Sequence, residues 1–367
     1  MWSLVGNAVM AVIGLILIYL ALAKRYEPLL LLPIGFGAVL ANIPFAGLSE
    51  PGGFLHILRV YGIESELLPA LLFIGIGAMC DFSSLIRRPA LLVLAAAGQL
   101  GIFVALDLAL AFGFSPLEAS SIGVIGAMDG PTAIFVTQRF APHLLGPVTV
   151  CAYSYMSLVP LLQRPISRLL TTDRERRIRM DSQNVELSRP IRVLFPLIVF
   201  LVSSILAPQG ALLIGALMLG NLMRESGVVK RLSDAAQNEL ANIVTLLLGL
   251  SIGGTMRAES FLNPTTLYVF VLGLIAFVSA ISIGILFAKG VNTISKGKIN
   301  PLIGACGVSA FPMAARTAHI LGREEDPDNW LLPQALATNV GGQIASVAAG
   351  AAILTYAPWV LSILRGF

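Results

Sequence analysis

One carboxylate lies in a stretch of the chain that is otherwise apolar or built of small residues. Asp129 stands within residues 121–138, SIGVIGAMDGPTAIFVTQ, and is followed directly by Gly130 and Pro131. Proline removes a backbone donor, so we expect a helix to break here and to leave carbonyl oxygens free beside the acid. These oxygens, with the Thr132 hydroxyl, suit a small hard cation such as Na⁺. A proton carrier and a simple helix cap are the alternatives.

A comparable stretch in the second half of the chain carries an arginine in place of the acid. Residues 300–316, NPLIGACGVSAFPMAAR, contain two prolines together with Asn300 and Ser309. The prolines predict a second broken helix among small residues. Arg316 follows directly, and it is either an interface anchor that extends to the lipid headgroups or a clamp for an anion.

Further polar side chains lie in two apolar segments. Asn339, Gln343 and Ser346 are spaced i, i+4 and i+7, so a helix places them on one face. That face either lines a cavity or packs tightly through the small residues between them. Of two tyrosines in an earlier apolar segment, we expect Tyr153 to lie at the membrane interface. Tyr155, on a different face, either hydrogen-bonds inside a cavity or is structural.

The composition indicates where these residues lie. Of 367 residues, 56% are hydrophobic and 12% are charged, against about a quarter charged in an ordinary soluble domain. This predicts an all-α polytopic membrane protein whose basic loop residues orient it, not a protein that binds nucleic acid. Ten apolar runs are long enough to cross a bilayer, at residues 4–22, 28–46, 67–84, 90–113, 145–162, 191–207, 209–223, 240–256, 264–288 and 331–356.

Several function classes lack their motifs. The three cysteines are far apart, and no spacing of cysteine and histidine indicates a zinc site. The chain has no P-loop lysine, no G-x-S-x-G and no histidine cluster. ATP hydrolysis and serine hydrolysis by this chain are therefore not expected.

The two halves of the chain resemble each other. Three pairs of similar segments follow in the same order at nearly the same offset: 31–43 with 212–223, 76–86 with 252–262, and 125–130 with 303–308. We therefore predict an internal duplication. The predicted domains are a first membrane repeat, 1–162, a basic cytoplasmic linker, 163–190, and a second membrane repeat, 191–367.

Loop charges predict the topology. Basic residues follow the runs that end near residues 23, 84, 162, 223 and 288, so these loops should be cytoplasmic and the N-terminus outside. The basic linker stays cytoplasmic only if residues 120–138 enter the membrane and return. Each repeat then crosses an odd number of times, so the repeats have inverted topologies. The predicted fold has about ten transmembrane helices and two re-entrant hairpins, as in secondary transporters.

The motifs in these segments resemble one known family. GAMDGPTAIFVT at 126–137, HLLGPVTVCAYSYMSLVPLLQRPI at 143–166 and NPLIGACGVSAFPMAARTAHILG at 300–322 are similar to the β subunit of the sodium-pumping biotin-dependent decarboxylases. That family acts on oxaloacetate, methylmalonyl-CoA or glutaconyl-CoA. The resemblance covers essentially the whole chain, and the N-terminal region is shorter than is usual in the family.

The resemblance implies a multi-pass subunit of the cell membrane that decarboxylates carboxybiotin and couples this to Na⁺ export, with consumption of a proton. It implies as partners a carboxyltransferase α subunit, a biotin carrier protein, a small single-span subunit and membrane lipid, and it implies a homotrimer of this chain. Arg316 matches a functionally important arginine of the family, and we hypothesise that it holds the carboxyl group of carboxybiotin. Asp129 and Tyr155 are the candidates for relaying the proton. The positions matching Na⁺-linked residues are Asp129, Tyr155, Asn300, Gly304 and Ser309, with Asn339 and Ser346 for a second Na⁺.

The residues alone leave a different function class open. A Na⁺- or H⁺-coupled transporter of a carboxylate, with no enzymatic step, would use the same broken helices and the same arginine.

Overall fold

The computed structural model describes residues 2–25, 28–180 and 187–365, and every regular element in this part of the chain is helical. The helices of the first half are α1 Trp2–Ala23, α2 Pro28–Ala41, α3 Phe54–Leu58, α4 Leu67–Met79, α5 Ser83–Arg87, α6 Ala90–Gly98, α7 Leu100–Ala111, α8 Pro116–Gly123, α9 Gly130–Phe140, α10 Leu145–Ser157, α11 Val159–Leu170 and α12 Asp173–Arg176. Those of the second half are α13 Arg189–Leu206, α14 Ala211–Ser226, α15 Lys230–Ala235, α16 Ala241–Gly254, α17 Ala258–Phe261, α18 Pro264–Ile294, α19 Met313–Glu325 and α20 Leu332–Arg365.

Six helical stretches in the described residues are long and apolar enough to cross a membrane. Two bent pairs raise this number to eight if each pair forms one span: Phe54–Glu64 with Leu67–Met79, bent by 60°, and Pro142–Ser157 with Val159–Leu170, bent by 65°. The prediction of a polytopic all-helical membrane protein is confirmed, whereas the count of ten stays a prediction.

Helix α2 packs against α16, and α4 packs against α14, through a pair of matching hydrogen bonds. The Asn42 amide donates to the Met256 carbonyl at 2.7 Å, and the Asn221 amide donates to the Cys80 carbonyl at 2.9 Å. Asn42 and Asn221 lie near the ends of two similar segments, 31–43 and 212–223. Cys80 and Met256, which supply the carbonyls, occupy the same position in a second similar pair, 76–86 and 252–262. The two hydrogen bonds therefore match each other, as the predicted duplication leads us to expect.

Glycines let these helices approach closely. A Cβ on Gly77 of α4 would lie 1.9 Å from the Leu217 carbonyl oxygen of α14. A Cβ on Gly253 of α16 would lie 2.1 Å from the Ile34 carbonyl oxygen of α2. Small residues bring backbones together in this way when apolar burial alone does not drive helix association.

Contacts between loops divide the helix ends between two faces. At the first face, Arg224 donates to the Met79 carbonyl at 2.7 Å and Lys289 donates to the Leu170 carbonyl at 3.0 Å. We call it the basic face, and it comprises the loops 80–89, 171–180, 187–188, 227–229, 295–300 and 326–331. The loops that the sequence predicts to be cytoplasmic meet here.

The remaining loops meet at the opposite face. Arg139 pairs with Glu66 at 3.0 Å, and its guanidinium also donates to the Gln209 side chain at 2.9 Å. Arg257 lies 3.5 Å from Glu50. The opposite face comprises the loops 42–53, 112–115, 141–144, 207–210 and 255–263.

Two segments begin and end at the same face. His143 Nε2 lies 2.8 Å from Glu118 Oε1, so residues 116–140 enter from the opposite face and return to it. Asn300 and Asn329 both donate to the backbone carbonyls of Arg176 and Ile178, so the segment between these asparagines begins and ends at the basic face. We call 116–140 the first hairpin and 300–325 the second hairpin.

The described part of the basic linker is docked onto the second hairpin. The Arg176 guanidinium is buried, where it donates to Glu325 at 2.9 Å and to the Thr171 carbonyl at 2.6 Å. Arg179 donates twice to Asp326, and these hydrogen bonds hold the pKa of the Asp326 carboxyl below its ordinary value. The linker therefore closes the basic end of the second hairpin.

Replacement of Gly77 with alanine should destabilise the fold, because the methyl group meets the Leu217 carbonyl and forces α4 and α14 apart. Overpacking of this kind costs about 1–3 kcal/mol. Gly290→Ala is the matched control, since no atom lies within 4 Å of a Cβ there and alanine favours a helix. The measurement is the midpoint of thermal unfolding in detergent, and equal midpoints for the two variants would contradict this account of the contact.

Candidate functional site

The tip of the first hairpin places Asp129 at the start of a helix. Helix α8 continues as a 3₁₀ turn over Val124–Ala127, and Met128 then adopts a left-handed backbone, φ 54°. Asp129 is extended, and its carboxylate accepts from the Thr132 backbone N–H at 3.3 Å as the N-cap of α9. The sequence suggested a break at Pro131, but the helix breaks before Asp129. Pro131 fits the first turn of the new helix without loss of a hydrogen bond.

The Asp129 carboxylate is buried and joins three elements. One of its oxygens accepts from the Thr132 hydroxyl at 2.7 Å and from the Ser346 hydroxyl of α20, also at 2.7 Å. Only 3% of the residue is exposed, and among the described residues no lysine, arginine or histidine pairs with it. A buried carboxylate without a countercharge is costly unless it holds a proton or a cation. This arrangement therefore favours a cation or proton site.

The tip of the second hairpin meets the first directly. The Ser309 backbone N–H donates to the Ala127 carbonyl at 3.1 Å, and the Ser309 hydroxyl donates to the Gly342 carbonyl at 2.8 Å. The Gln343 amide also donates to the Ser309 carbonyl. Helix α20 therefore holds both tips together.

The polar face predicted for α20 is confirmed. Asn339 donates to the Val308 carbonyl at 2.6 Å, Gln343 binds Ser309, and Ser346 binds Asp129, so the three side chains contact the hairpin tips from one side of the helix. The Asn339 Oδ1 atom is buried and has no hydrogen-bond partner among the described residues. It is a free oxygen ligand beside the site.

A cavity of about 170 Å³ lies against Asp129. Its walls include Gly130, Tyr153, Ser309 and Gln343, and it extends towards the basic face past Leu29, Met79 and Met313. This volume accommodates several water molecules or a partly hydrated cation. The site is therefore approached from the basic face.

Three other residues predicted for the site do not take part in the contact between the hairpin tips and α20. The Tyr155 hydroxyl donates to the Phe270 carbonyl of α18 at 2.7 Å, on the side of α10 away from the cavity. Asn300 caps the start of the second hairpin, where its Oδ1 accepts from the Leu302 N–H at 3.0 Å. Gly304 packs against α18, since a Cβ there would lie 2.1 Å from the Gly284 carbonyl oxygen. Each of these contacts orients a helix that reaches the site.

Arg316 is exposed on α19, one turn after Met313 at the wall of the cavity. No ion pair or hydrogen bond joins its guanidinium to another described residue. Arg164 and Arg168, by contrast, both pair with Glu324, at 3.3 and 2.8 Å. The Arg316 guanidinium is therefore available to bind an anion.

Two residues at the site were not predicted from the sequence. Tyr153 was expected at the membrane interface, but it is 1% exposed and its ring lies against Gly130, where a Cβ would overlap the ring at 2.2 Å. The interface prediction is wrong because α10 turns this tyrosine towards the first hairpin.

Gln99, between α6 and α7, donates to the Gly307 carbonyl of the second hairpin at 2.8 Å. Gln99 could have been identified from the sequence, because it is a lone amide within an apolar run.

The oxygen ligands available here are mostly neutral. Within residues 2–25, 28–180 and 187–365, no group of three or more histidine, cysteine, aspartate or glutamate side chains converges on a metal position. A cation at Asp129 would therefore be bound by one carboxylate together with hydroxyl, amide and carbonyl oxygens. Such a set suits a monovalent hard cation better than a transition metal.

Comparisons with known proteins identify the family. The family model of the Na⁺-transporting oxaloacetate decarboxylase beta subunit matches residues 6–357. The chain is 49% identical to the glutaconyl-CoA decarboxylase subunit beta of Acidaminococcus fermentans, over 95% of this chain and 92% of that protein. It shows the same identity and coverage with the methylmalonyl-CoA decarboxylase subunit beta of Veillonella parvula. It is 44% identical to the oxaloacetate decarboxylase beta chain of Klebsiella pneumoniae, over 96% of this chain and 95% of that protein.

The family match covers nearly the whole chain, including both hairpins and most of α20, and the predicted family is confirmed. The transporter without an enzymatic step is not the family that the comparisons support. The apolar helices and this match together indicate a multi-pass membrane protein. The chain belongs to the β subunits of the Na⁺-transporting decarboxylases, with the decarboxylase and translocase role of that family.

Proposed function

We propose that this subunit decarboxylates carboxybiotin, which a biotin carrier protein presents at the basic face, and exports Na⁺ while consuming a proton. The observation that carries the proposal is the buried Asp129 carboxylate, which has no countercharge among the described residues, at the junction of the two hairpins. Arg316, which has no partner among the described residues, lies one turn beyond Met313, a residue of the wall of the same cavity. One group attracts a cation and the other an anion, as coupling of the two processes requires.

The proposed topology has ten crossings and two re-entrant hairpins in two inverted repeats. The matching contacts of Asn42 and Asn221 support the repeat, and the hairpins that return to different faces support its inversion. The basic face is cytoplasmic by its charge. The Asp129 cavity, which extends to that face, then receives Na⁺ from the cytoplasm.

The proposed Na⁺ site is built on Asp129. Ser309, Asn339 and Ser346 supply neutral oxygens around it, and the Ser346–Asp129 hydrogen bond supports a second Na⁺ position beside the first. Tyr155 remains a candidate proton relay. Asn300 and Gly304 contribute through the position of the second hairpin, because one fixes its beginning and the other its distance from α18.

Arg316 is proposed to bind the carboxyl group of carboxybiotin. A planar guanidinium forms two parallel hydrogen bonds with a carboxylate. Loss of CO₂ breaks the C–N bond, and the electron pair stays on the ureido nitrogen of biotin, which then takes up a proton. The anion at Arg316 disappears in this step. The charge at the site changes by one unit, so the relative affinity of Asp129 for Na⁺ and H⁺ must change with it.

The proposed assembly contains a carboxyltransferase α subunit, the biotin carrier, a small single-span subunit and three copies of this chain. The long helices α1 and α13 expose most of their apolar residues, which suits lipid and the helices of such partners. The choice of acyl substrate belongs to the α subunit.

Replacement of Asp129 with asparagine should abolish Na⁺ stimulation of decarboxylation, because the amide keeps the shape but removes the charge. We expect the Na⁺-dependent rate with carboxylated free biotin to fall by roughly 100-fold, the range of a lost acid–base group. Asp107→Asn is the matched control, since Asp107 is exposed on α7. The measurement is CO₂ release against Na⁺ concentration in proteoliposomes, and unchanged stimulation in the Asp129 variant would remove Asp129 from the site.

Replacement of Arg316 with lysine should impair decarboxylation while Na⁺ binding is retained. Lysine keeps the charge but offers a point donor instead of a fork, so we expect a rate loss of roughly 100-fold. Arg323→Lys, on the same helix, is the matched control. The measurements are CO₂ release and ²²Na⁺ binding to the purified complex. A parallel loss of both in Arg316→Lys would assign Arg316 to the structure of the site instead of carboxybiotin.

A further inference from the structure

We propose that Na⁺ leaves Asp129 towards the opposite face along a seam of buried hydroxyl groups between α9, α10 and α16. Tyr153, Thr149 and Ser251 form this exit seam, and Gln138 and Thr255 form its outer end. The inference rests on the proposed function and deepens it, because it names the side chains that carry the exported cation after the site releases it.

The first observation is that three buried hydroxyls have no partner. Tyr153 and Thr149 are 1% exposed and Ser251 is 0% exposed, and none of their oxygens has a hydrogen-bond partner among the described residues. Most buried polar atoms are paired. Helical threonines and serines usually bond to a carbonyl one turn earlier, as Thr245 and Thr317 do in this chain. The exit seam therefore offers free oxygen ligands.

The second observation is the alignment of these groups on α10. Gly146, Thr149 and Tyr153 are spaced i, i+3 and i+7 on one helix face, which spans about 10 Å along the axis. At one end the Tyr153 ring lies against Gly130, next to Asp129. At the other end a Cβ on Gly146 would lie 3.2 Å from the Thr255 hydroxyl of α16.

The other side of α10 does not share this property. There, Cys151 and Tyr155 donate to the carbonyls of Val269 and Phe270 on α18. Among the described residues of α10, the two fully buried hydroxyls without a partner, those of Thr149 and Tyr153, thus share one side of the helix. A polar helix that merely packed in the membrane would not need this asymmetry.

The third observation is that the two ends of the seam line two different cavities. The inner one is the Asp129 cavity, which Tyr153 lines. The outer one, about 480 Å³ at the opposite face, is lined by Gln138, Gly146 and Thr255, together with charged side chains such as Glu64 and Glu259. The Gln138 Oε1 atom is also buried without a partner. The two cavities share no lining residue, and Tyr153 packs in one apolar cluster with Ile134 and Val150. The seam is therefore closed between the cavities.

This closure explains the direction of access. The inner cavity extends to the basic face, so the structure is closed towards the opposite face beyond Tyr153. A small displacement of α10 from α16 would join the two cavities through the free hydroxyls. Neutral oxygens at short intervals let a cation enter each position and leave it again.

Thiol accessibility during turnover tests the exit seam. In the reconstituted decarboxylase complex, with the native cysteines Cys80, Cys151 and Cys306 replaced by alanine, Thr149→Cys is compared with Val148→Cys. Val148 is equally buried and adjacent, but lies off the seam. A membrane-impermeant cationic thiosulfonate is applied from each side in the presence of Na⁺ and carboxylated biotin. We expect Thr149→Cys to react from the opposite-face side at least about tenfold faster than its control, an accessibility difference equivalent to 1.4 kcal/mol.

Equal rates, or reaction of Thr149→Cys from the basic-face side alone, would overturn the exit seam while decarboxylation remains intact. Absence of Na⁺-dependent decarboxylation before labelling would overturn the proposed function and the seam together. Ser251→Cys provides the same test from α16 if Thr149→Cys does not fold.

Thr149→Val supplies a second readout. Valine keeps the shape and removes an unpaired hydroxyl, so thermal stability should rise or stay unchanged while the ²²Na⁺ transport rate falls about tenfold, the effect of one lost oxygen ligand. A purely structural hydroxyl predicts unchanged transport, and that result would overturn the role of Thr149.

Discussion

The burial of the Asp129 carboxylate without a countercharge is the constraint on which the rest of the site depends. Three donors from Thr132 and Ser346 partly compensate it, and these donors come from two elements far apart in the sequence. The tip of the first hairpin must therefore meet α20. The charge also makes the site sensitive to any ion that arrives or leaves, because a buried group responds strongly to the charges near it.

The frame that holds this carboxylate is made of close helix contacts. Glycines in α2, α4, α14 and α16 bring backbones together, and the asparagine hydrogen bonds fix the helices in register. In lipid, association of apolar helices gains little from burial, so contacts of this type carry much of the stability. The two hairpins project into the frame from different faces. Between the described residues of the two tips, one backbone hydrogen bond joins Ser309 to Ala127, and α20 holds both tips through Gln343 and Ser346.

The charge of the basic linker, taken alone, indicates only how the chain is oriented in the membrane. In the structure, the described part of the linker is also docked onto the second hairpin. Arg176 is buried against Glu325 and Thr171, and the carbonyls of Arg176 and Ile178 receive four hydrogen bonds from Asn300 and Asn329. The basic end of the second hairpin is thus tied to the segment between the two halves. A carrier protein that contacts the basic face would meet this segment as well as Arg316.

The predictions that came from local pattern agree with the structure. The acid in an apolar run marked the broken segment around Asp129, and helical spacing put Asn339, Gln343 and Ser346 on one side of α20. These features succeed because they depend on neighbours in the chain. Predictions that depended on rotation of a helix were less successful, and Tyr153 lies at Asp129 instead of the membrane interface.

The sequence by itself determined that the chain is a polytopic helical membrane protein of this decarboxylase family. It also marked Asp129 and Arg316 as residues of two broken segments. Only the tertiary structure decided that the helix breaks before Asp129 and that Ser346 is the hydrogen-bond partner of Asp129. It also decided that Tyr153 and Gln99 contact the hairpins, and that unpaired hydroxyls align between two cavities. The physical reason is that periodicity assigns a residue to a helix face, whereas the packing of distant helices determines what that face contacts.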